Sequence, residues 1–314
     1  MESTMKRERK ENEEQETGGI QRIPEECLAK AIGLTSPADA CRAAAVSAAF
    51  RSAADSDAVW EQFLPPDCDA VLERAVHLVD STSKKDLFME LSDDHVLLDD
   101  GKRSFGLHRS TGAKCYMMSA SELAIAWVKI DLYWRERLDP DSRFPMVAEL
   151  ISVCWFSIFG VINSRELSPS THYVAYLVFK LTHDASGLSS RSQISYVEVG
   201  GQVVGSARTA SFHPCNRASC SGAAIEEASS STMNNNCAVN QPHEHKEEEE
   251  DEEGGIVRYP CERVDGWLEL EMGDFHTGTG DDAGVDVRME LHELEELQWK
   301  KGLILEGIEI RPKN

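Results

Sequence analysis

The spacing of apolar positions changes twice along the chain. Residues 1–19 are dense in Glu, Lys and Arg without apolar spacing; such a segment buries too little to offset the entropy of ordering and is read as a disordered tail. Between residues 20 and 66 apolar residues recur at helical intervals. Cys27, Leu28, Ala31 and Ile32 make one face behind Pro24, which suits a first helical turn. In SPAD, Ser36 is placed to accept from the Asp39 amide and Pro37 takes the first helical position, with Ala40, Ala44, Ser47 and Ala48 carrying that helix onward. Ser56 is the predicted cap of a third helix bearing Val59, Trp60, Phe63 and Leu64 on one side, stopped by Pro65 and Pro66.

Residues 67–103 read as a helical linker. DAVLERAVHLV and SKKDLFMELSDD have amphipathic spacing, separated by the polar turn DSTSK. From Ser104 to the end the pattern becomes that of strands: KCYMMSA, LAIAWVKI, VAELISVCWFSIFGVI, HYVAYLVFKL, ISYVEVG, WLELEMGDF, VDVRMELHEL and GLILEGIEIRP are short, β-branched or aromatic, and often alternating. Strands at this density predict a β-sandwich. Residues 213–255 interrupt it with a Ser- and Asn-rich, then strongly acidic stretch, read as a disordered insert with no strand. GTGDDAG, residues 278–284, reads as a hairpin connection. The fold class is therefore α+β, with helices first and an antiparallel sandwich after them.

A formal net charge of -23 opposes general nucleic-acid binding. Nine cysteines without paired spacing, and an N-terminus without an apolar signal core, read as a cytoplasmic and/or nuclear chain with reduced thiols. The basic cluster Lys6, Arg7, Arg9 and Lys10 is a candidate nuclear signal, diluted by the acids that follow. The most apolar run, Leu150 to Ile162, is too short to span a bilayer as a helix and reads as a buried strand, so no membrane partner is expected. Some 45 residues in three helices bury little of their own apolar surface. Their apolar face is left either to another protein or to the rest of this chain.

IPEECLAKAIGLTSPADACRAAAVSAAFRSAADSDAVWEQFLP, residues 23–65, resembles an F-box of the plant type, with Ile23 where Leu is usual. That resemblance implies docking to the Skp adaptor of SCF-type cullin ubiquitin ligases through Ile23, Pro24, Leu28, Val46, Phe50 and Trp60. For each of these the other reading is packing among the helices. The blocks GAKCYMMSASELAIAWVKIDLYW, SRFPMVAELISVCWFSIFGVI, LSPSTHYVAYLVFKL and RVDGWLELEMGDF…WKKGLILEGIEIRPK, from Gly112 to Lys313, resemble the phloem protein 2 family of plant lectins, in which an N-terminal F-box is a known coupling. This resemblance implies a lectin-type sandwich over residues 104–314 that binds N-acetylglucosamine oligomers. Trp127 and Trp134 match the family's tryptophan pair, each otherwise a core ring, and Asp286 and Glu293 are acidic candidates by position. Here Tyr133, Trp134, Arg135, Glu136 stands where the family commonly has Tyr-Trp-x-Trp, and Lys129, Ile130 replace its Gly-Asp.

Chemistry of its own is not expected. Cys215, Cys220, Cys237, His243 and His245 lack the paired spacing of a zinc site, so no metal or cofactor is predicted. No G-x-S-x-G is present, and no carboxylate pair is singled out for glycoside hydrolysis. The resulting expectation is a non-enzymatic substrate receptor of an SCF-type ligase, bound to the Skp adaptor and cullin, whose lectin-like domain holds a glycoprotein or protein target. The alternative is a cytosolic or nuclear lectin without a ubiquitin role.

Overall fold

The computed structural model describes residues 23–189, 193–213, 249–250, 256–279 and 284–313. The expected tail 1–19 with its basic cluster, most of the insert 213–255 and the Cys215–His245 cluster lie outside them. The chain divides into two compact units, residues 23–100 with 105–115 and residues 101–104 with 116–313.

The first unit holds six short α-helices: α1 (Glu25–Gly33), α2 (Pro37–Ala43), α3 (Ala48–Ala54), α4 (Asp57–Phe63), α5 (Cys68–Leu72) and α6 (Lys84–Asp93). Ser36 caps α2 as expected, accepting from the Asp39 amide at 3.1 Å with Pro37 at the first position. The single helix expected across Ala40 to Ala48 is two, a correction that makes the 20–66 region four-helical. Ser47 is extended and its hydroxyl accepts from the Phe50 amide, so it starts α3 instead of continuing α2. Ser56 does not cap α4 with its side chain; its hydroxyl donates to the Ala53 carbonyl at 2.7 Å. The linker is also less helical than expected. After α5 the chain turns extended, with Ala75 bridged to Leu98 and the Val76 amide donating to Leu97, so pairing with β1 (Val96–Leu98) overrides the amphipathic spacing.

The core of this unit is built around Trp60. Its ring is buried, 5.6 Å from Phe63 and 5.1 Å from Phe88 between centroids, and its indole N–H donates to the Ala54 carbonyl at 2.7 Å. Lys114, almost wholly buried, reaches Asp67 at 2.8 Å.

The second unit contains two facing sheets. One runs β3 (Lys114–Ser119), β16 (Lys301–Pro312), β8 (His172–Ser186), β14 (Leu268–His276), β13 (Cys261–Glu262), with β6 (Val147–Leu150) also on β16 and β5 (Trp134–Arg137) on β6. The other runs β11 (Glu249–Glu250), β12 (Ile256–Arg258), β10 (Gln202–Ala210), β9 (Gln193–Val199), β15 (Asp286–Glu293), β7 (Phe156–Asn163), β4 (Ala124–Ile125). Phe212 joins them, edge-on to Phe156 at 5.9 Å and to Phe179 at 5.0 Å. Among the named strands pairing is antiparallel except between β10 and β12, which run parallel. Two further expectations are corrected. Glu249–Glu250, inside the insert read as strandless, pairs with β12. And β14 and β15, which flank 278–284, belong to different sheets and do not pair as the expected hairpin; residues 280–283 lie outside the described residues.

Strand β16 lies between partners on both sides and its run GLILEGIEI is buried throughout, as a central strand requires. Gly307 is needed there: a Cβ would stand 2.0 Å from the Met118 carbonyl oxygen on β3. The shift of register between Leu305 and Gly307 leaves buried Glu306 out of the pairing with β8, and its carboxylate accepts from the Arg143 amide at 2.7 Å and the Ser142 hydroxyl at 3.1 Å. Burial raises its pKa above the ordinary carboxylate value in spite of these donors.

Candidate functional site

The six residues expected to meet an adaptor separate into two groups. Leu28 and Trp60 are buried inside the helical unit; Ile23, Pro24 and Val46 are exposed, Val46 at 65%, and Phe50 is half-buried. Val46 is exposed because it sits in the turn that Ser47 creates. Ser52 on α3 donates to Glu25 at 2.9 Å, which sets the start of α1 beside α3. An exposed residue that the sequence reading passed over is Leu34, at the C-terminal end of α1 and 82% exposed. Its spacing alone would extend the apolar face, being three residues after Ala31, but it stands just past the last residue of α1, where the helix has ended.

In the second unit the tryptophan pair does not stand as a pair. Trp127 is 44% exposed, whereas Trp134, at the head of β5 opposite Leu150, is 1% exposed and belongs to the core. This corrects Trp134 as a stacking surface: a ring with neither face open cannot receive a sugar. The ring beside Trp127 is Trp155, half-buried and edge-on at 5.4 Å, with Tyr133 on another side at 6.0 Å. Trp155 was hidden in the sequence because it lies within the apolar run read as a buried strand. Trp127 has a φ of +67°, a left-handed conformation that bulky residues seldom adopt. It is held in a tight turn in which the Ile130 amide donates to the Trp127 carbonyl at 3.0 Å and the Tyr133 amide to Ile130 at 2.8 Å.

The two acidic candidates lie at opposite ends of one strand. Asp286 begins β15, is exposed and accepts from the Asn163 amide group at 3.0 Å. Glu293 ends it, seven steps or about 24 Å away at roughly 3.4 Å per residue. The Ala126 amide donates to Ser157, and Ser157 lies opposite His292, so the aromatic cluster is at the Glu293 end. Glu293 itself is corrected as a direct sugar contact. It is fully buried, paired with the equally buried Lys300, and accepts from the amides of Glu295 at 3.0 Å and Glu296 at 2.6 Å. The alternation of β15 carried this signal: Asp286, Arg288, Glu290 and His292 share one face, while Glu293 falls in phase with inward Val287, Met289 and Leu291.

On the outward face Arg288 lies over the Phe159 ring at 3.5 Å and donates to Glu290 at 2.6 Å. Burial raises the Glu290 pKa, but hydrogen bonds from Arg288, Tyr196 and Ser157 outweigh it, and the net direction is down. Tyr196, losing water and facing that carboxylate, is pushed up to about 12. Among the described residues no His, Cys, Asp and Glu group is arranged to hold a metal ion, and no helix is long and apolar enough to cross a membrane.

With that geometry in place, the family Phloem protein 2 matches residues 113–312. Similarity to named plant proteins extends much further. The chain is 41% identical to F-box protein PP2-B1 of Arabidopsis thaliana over 93% of its own length and 89% of that protein. It is 36% identical to F-box protein PP2-B10 of Arabidopsis thaliana, over 97% and 98% respectively, and 34% identical to F-box protein VBF of the same plant, over 93% and 99%. Among solved structures, a family 35 carbohydrate-binding module from Clostridium thermocellum aligns with 62% of the chain and 96% of its own at 8% identity, with a TM-score of 0.29, too low to bear on the fold.

Proposed function

The chain belongs to the phloem protein 2 family, and from that premise we propose that it acts as a substrate-receptor subunit of an SCF-type cullin-RING ubiquitin ligase. The observation that carries this reading is the coincidence of two facts. Relatives named F-box proteins match over nearly the whole chain, N-terminal helices included, and those helices leave Ile23, Leu34 and Val46 open to solvent. A small helical module with uncovered aliphatic groups is suited to docking against apolar helices of the Skp adaptor. The chain itself carries out no reaction. It holds a target so that a lysine meets the ubiquitin thioester of a bound conjugating enzyme, a gain from proximity alone. It works in the cytoplasm and/or nucleus.

The target side is the β unit. Exposed Trp127 beside Trp155 supports recognition of N-acetylglucosamine oligomers on a glycoprotein, because apolar faces of such sugars stack on indole rings. The same observation supports a second reading, a lectin with no ubiquitin role. Affinity capture under proteasome inhibition separates them. The unaltered chain should retain the Skp adaptor and cullin, and Ile23→Ala with Pro24→Ala should lose both while keeping its glycan binding. Undiminished capture by the double variant defeats the receptor reading; no capture by the unaltered chain leaves the lectin.

A further inference from the structure

Strand registers fix which side chains stand side by side on the outward face of the sheet that holds β15. One row crosses four strands: Val203 on β10, Glu198 on β9, Arg288 on β15 and Val161 on β7. The next row holds Tyr196, Glu290, Phe159 and Ala124, the last on β4. A third holds Thr209, Ile194, His292 and Ser157. The solvent face of an antiparallel sheet is ordinarily polar. This one carries two aromatic rings and three β-branched aliphatic side chains, with Val203 51% and Val161 38% exposed.

The first row is its own complement: an acid and a base stand between two valines, and reversal exchanges acid for base. A two-fold axis along the strands, midway between β9 and β15, lays the face on that of a second copy with strands aligned as packed sheets prefer. Glu198 then meets the partner's Arg288, Val203 meets the partner's Val161, and each contact is made twice. Phe159 falls over the partner's β10 where the register slips between Val204 and Arg208. Gly205 lies in that slip, left-handed at a φ of +71° and with nothing within 4 Å of an added Cβ, so there is room for the ring. An axis across the strands would instead set Glu290 on the partner's Glu290, like charge on like. The face measures roughly 20 by 24 Å at ordinary strand spacing. Pairing therefore removes on the order of 1,000 Å² from water, the scale of a weak and reversible association.

We propose that a second copy of this chain docks on this face, related by a two-fold axis along the strands, with Glu198 paired to the partner's Arg288 on both sides of the axis. Arg288 is set for that contact in the single chain: its guanidinium is held over the Phe159 ring at 3.5 Å and by Glu290, and a third of the side chain stays exposed. The charge pairs choose the orientation, and the valines and Phe159 supply the apolar area. The inference does not depend on what the chain captures through its helices or through Trp127.

The test is sedimentation equilibrium of the full chain from about 1 to 200 µM, a range that brackets weak association. The unaltered chain should dimerise reversibly, and more weakly as salt rises. Glu198→Arg alone and Arg288→Glu alone should each raise the dissociation constant about tenfold or more, because like charges then meet at two places. Mixed in equal amounts, these two variants should form the dimer that neither forms by itself, since both contacts again join opposite charges. Should Arg288→Glu fail to fold, the same exchange is read from Val203→Glu and Val161→Lys, two exposed positions that should each weaken the dimer alone and recover it when mixed. A chain that stays monomeric over the whole range overturns the proposal and leaves the face to a partner of another kind. A dimer that Glu198→Arg and Val203→Glu both leave intact is formed by another surface, and the proposal falls. Variants that are folded and monomeric alone but do not recover on mixing rule out this pairing of the two faces.

Discussion

The helical unit and the β unit are centred on different kinds of group. In the helical unit six helices of five to ten residues gather on Trp60, while Ile23, Leu34 and Val46 remain outside. In the β unit the interior is closed by Phe156, Phe179 and Phe212, and carboxylates go inside with cations: Glu293 with Lys300, Glu309 with Arg143, Arg263 and Arg311. The contrast shows where each is vulnerable. One depends on a single large side chain that many short elements share; the other depends on pairs whose members cannot be removed singly.

The largest expected effect is therefore in the helical unit. Trp60→Ala removes the contacts to Phe63 and Phe88 and the donor to Ala54, and core Trp→Ala changes cost about 3–5 kcal/mol. A unit of this size has little more than that to lose. Helical circular dichroism should fall while the β signal persists. Equal loss from both would show that the two regions do not differ as described.

Next comes Lys300→Met, which strands Glu293 in the core and should cost about 3 kcal/mol or more by denaturant titration. The double change Lys300→Met with Glu293→Leu should recover a substantial part, because neither charge is then left unpaired. No recovery would mean that the backbone acceptors at Cys154, Glu296 and Gln298, not the carboxylate, are what Lys300 serves.

These particulars show what was legible in the chain. Where a residue acts through its own backbone neighbours, the sequence reading succeeded: Pro37 and Ser36 opened α2, and the alternation of VDVRMELHEL gave a strand with one face inside. Where tertiary partners decide, it did not. Nothing in an Ala-rich run distinguishes a helix that continues through Ala44–Val46 from one that breaks, and the only mark was a serine that can serve either role. Trp127 and Trp134 have the same local surroundings of apolar and charged residues, yet pairing of β5 with β6 buries one and a left-handed turn exposes the other. Trp155 comes beside Trp127 because the Ala126 amide donates to Ser157, a pairing the local pattern does not announce.

The serines sharpen the comparison at a smaller scale. Ser47→Ala should destabilise the helical unit by about 1 kcal/mol, since its hydroxyl satisfies the Phe50 amide at the start of α3. Ser56→Ala should cost less, because its hydroxyl donates to Ala53 and caps nothing. Differential melting curves check the order; the reverse order would restore Ser56 as the cap expected from sequence.

The smallest expected effect is a difference in how the two units respond to alkali. In the helical unit burial, with Asp69 and Asp67 adding to it, pushes the Cys68 thiol from 9.0 up to about 11. In the β unit burial and then the Glu290 carboxylate push Tyr196 from 10.0 up to about 12. Both folded-state values exceed the unfolded ones, so each fold holds its proton more tightly than the open chain does. Each contribution is fully present below the unfolded value and is lost as pH rises through the folded value. The helical unit should therefore begin to weaken near pH 9 and lose this contribution by about pH 11, while the Tyr196 contribution of the β unit is lost about one pH unit later. Melting transitions resolved by helical and β signals between these values should separate as pH rises. Cys68→Ala should abolish the earlier loss and Tyr196→Phe should reduce the later one, to which Tyr176, also pushed up to about 12 by burial, adds. If instead both transitions shift together and neither substitution changes them, alkaline sensitivity comes from the net charge of the whole chain and not from these two protons.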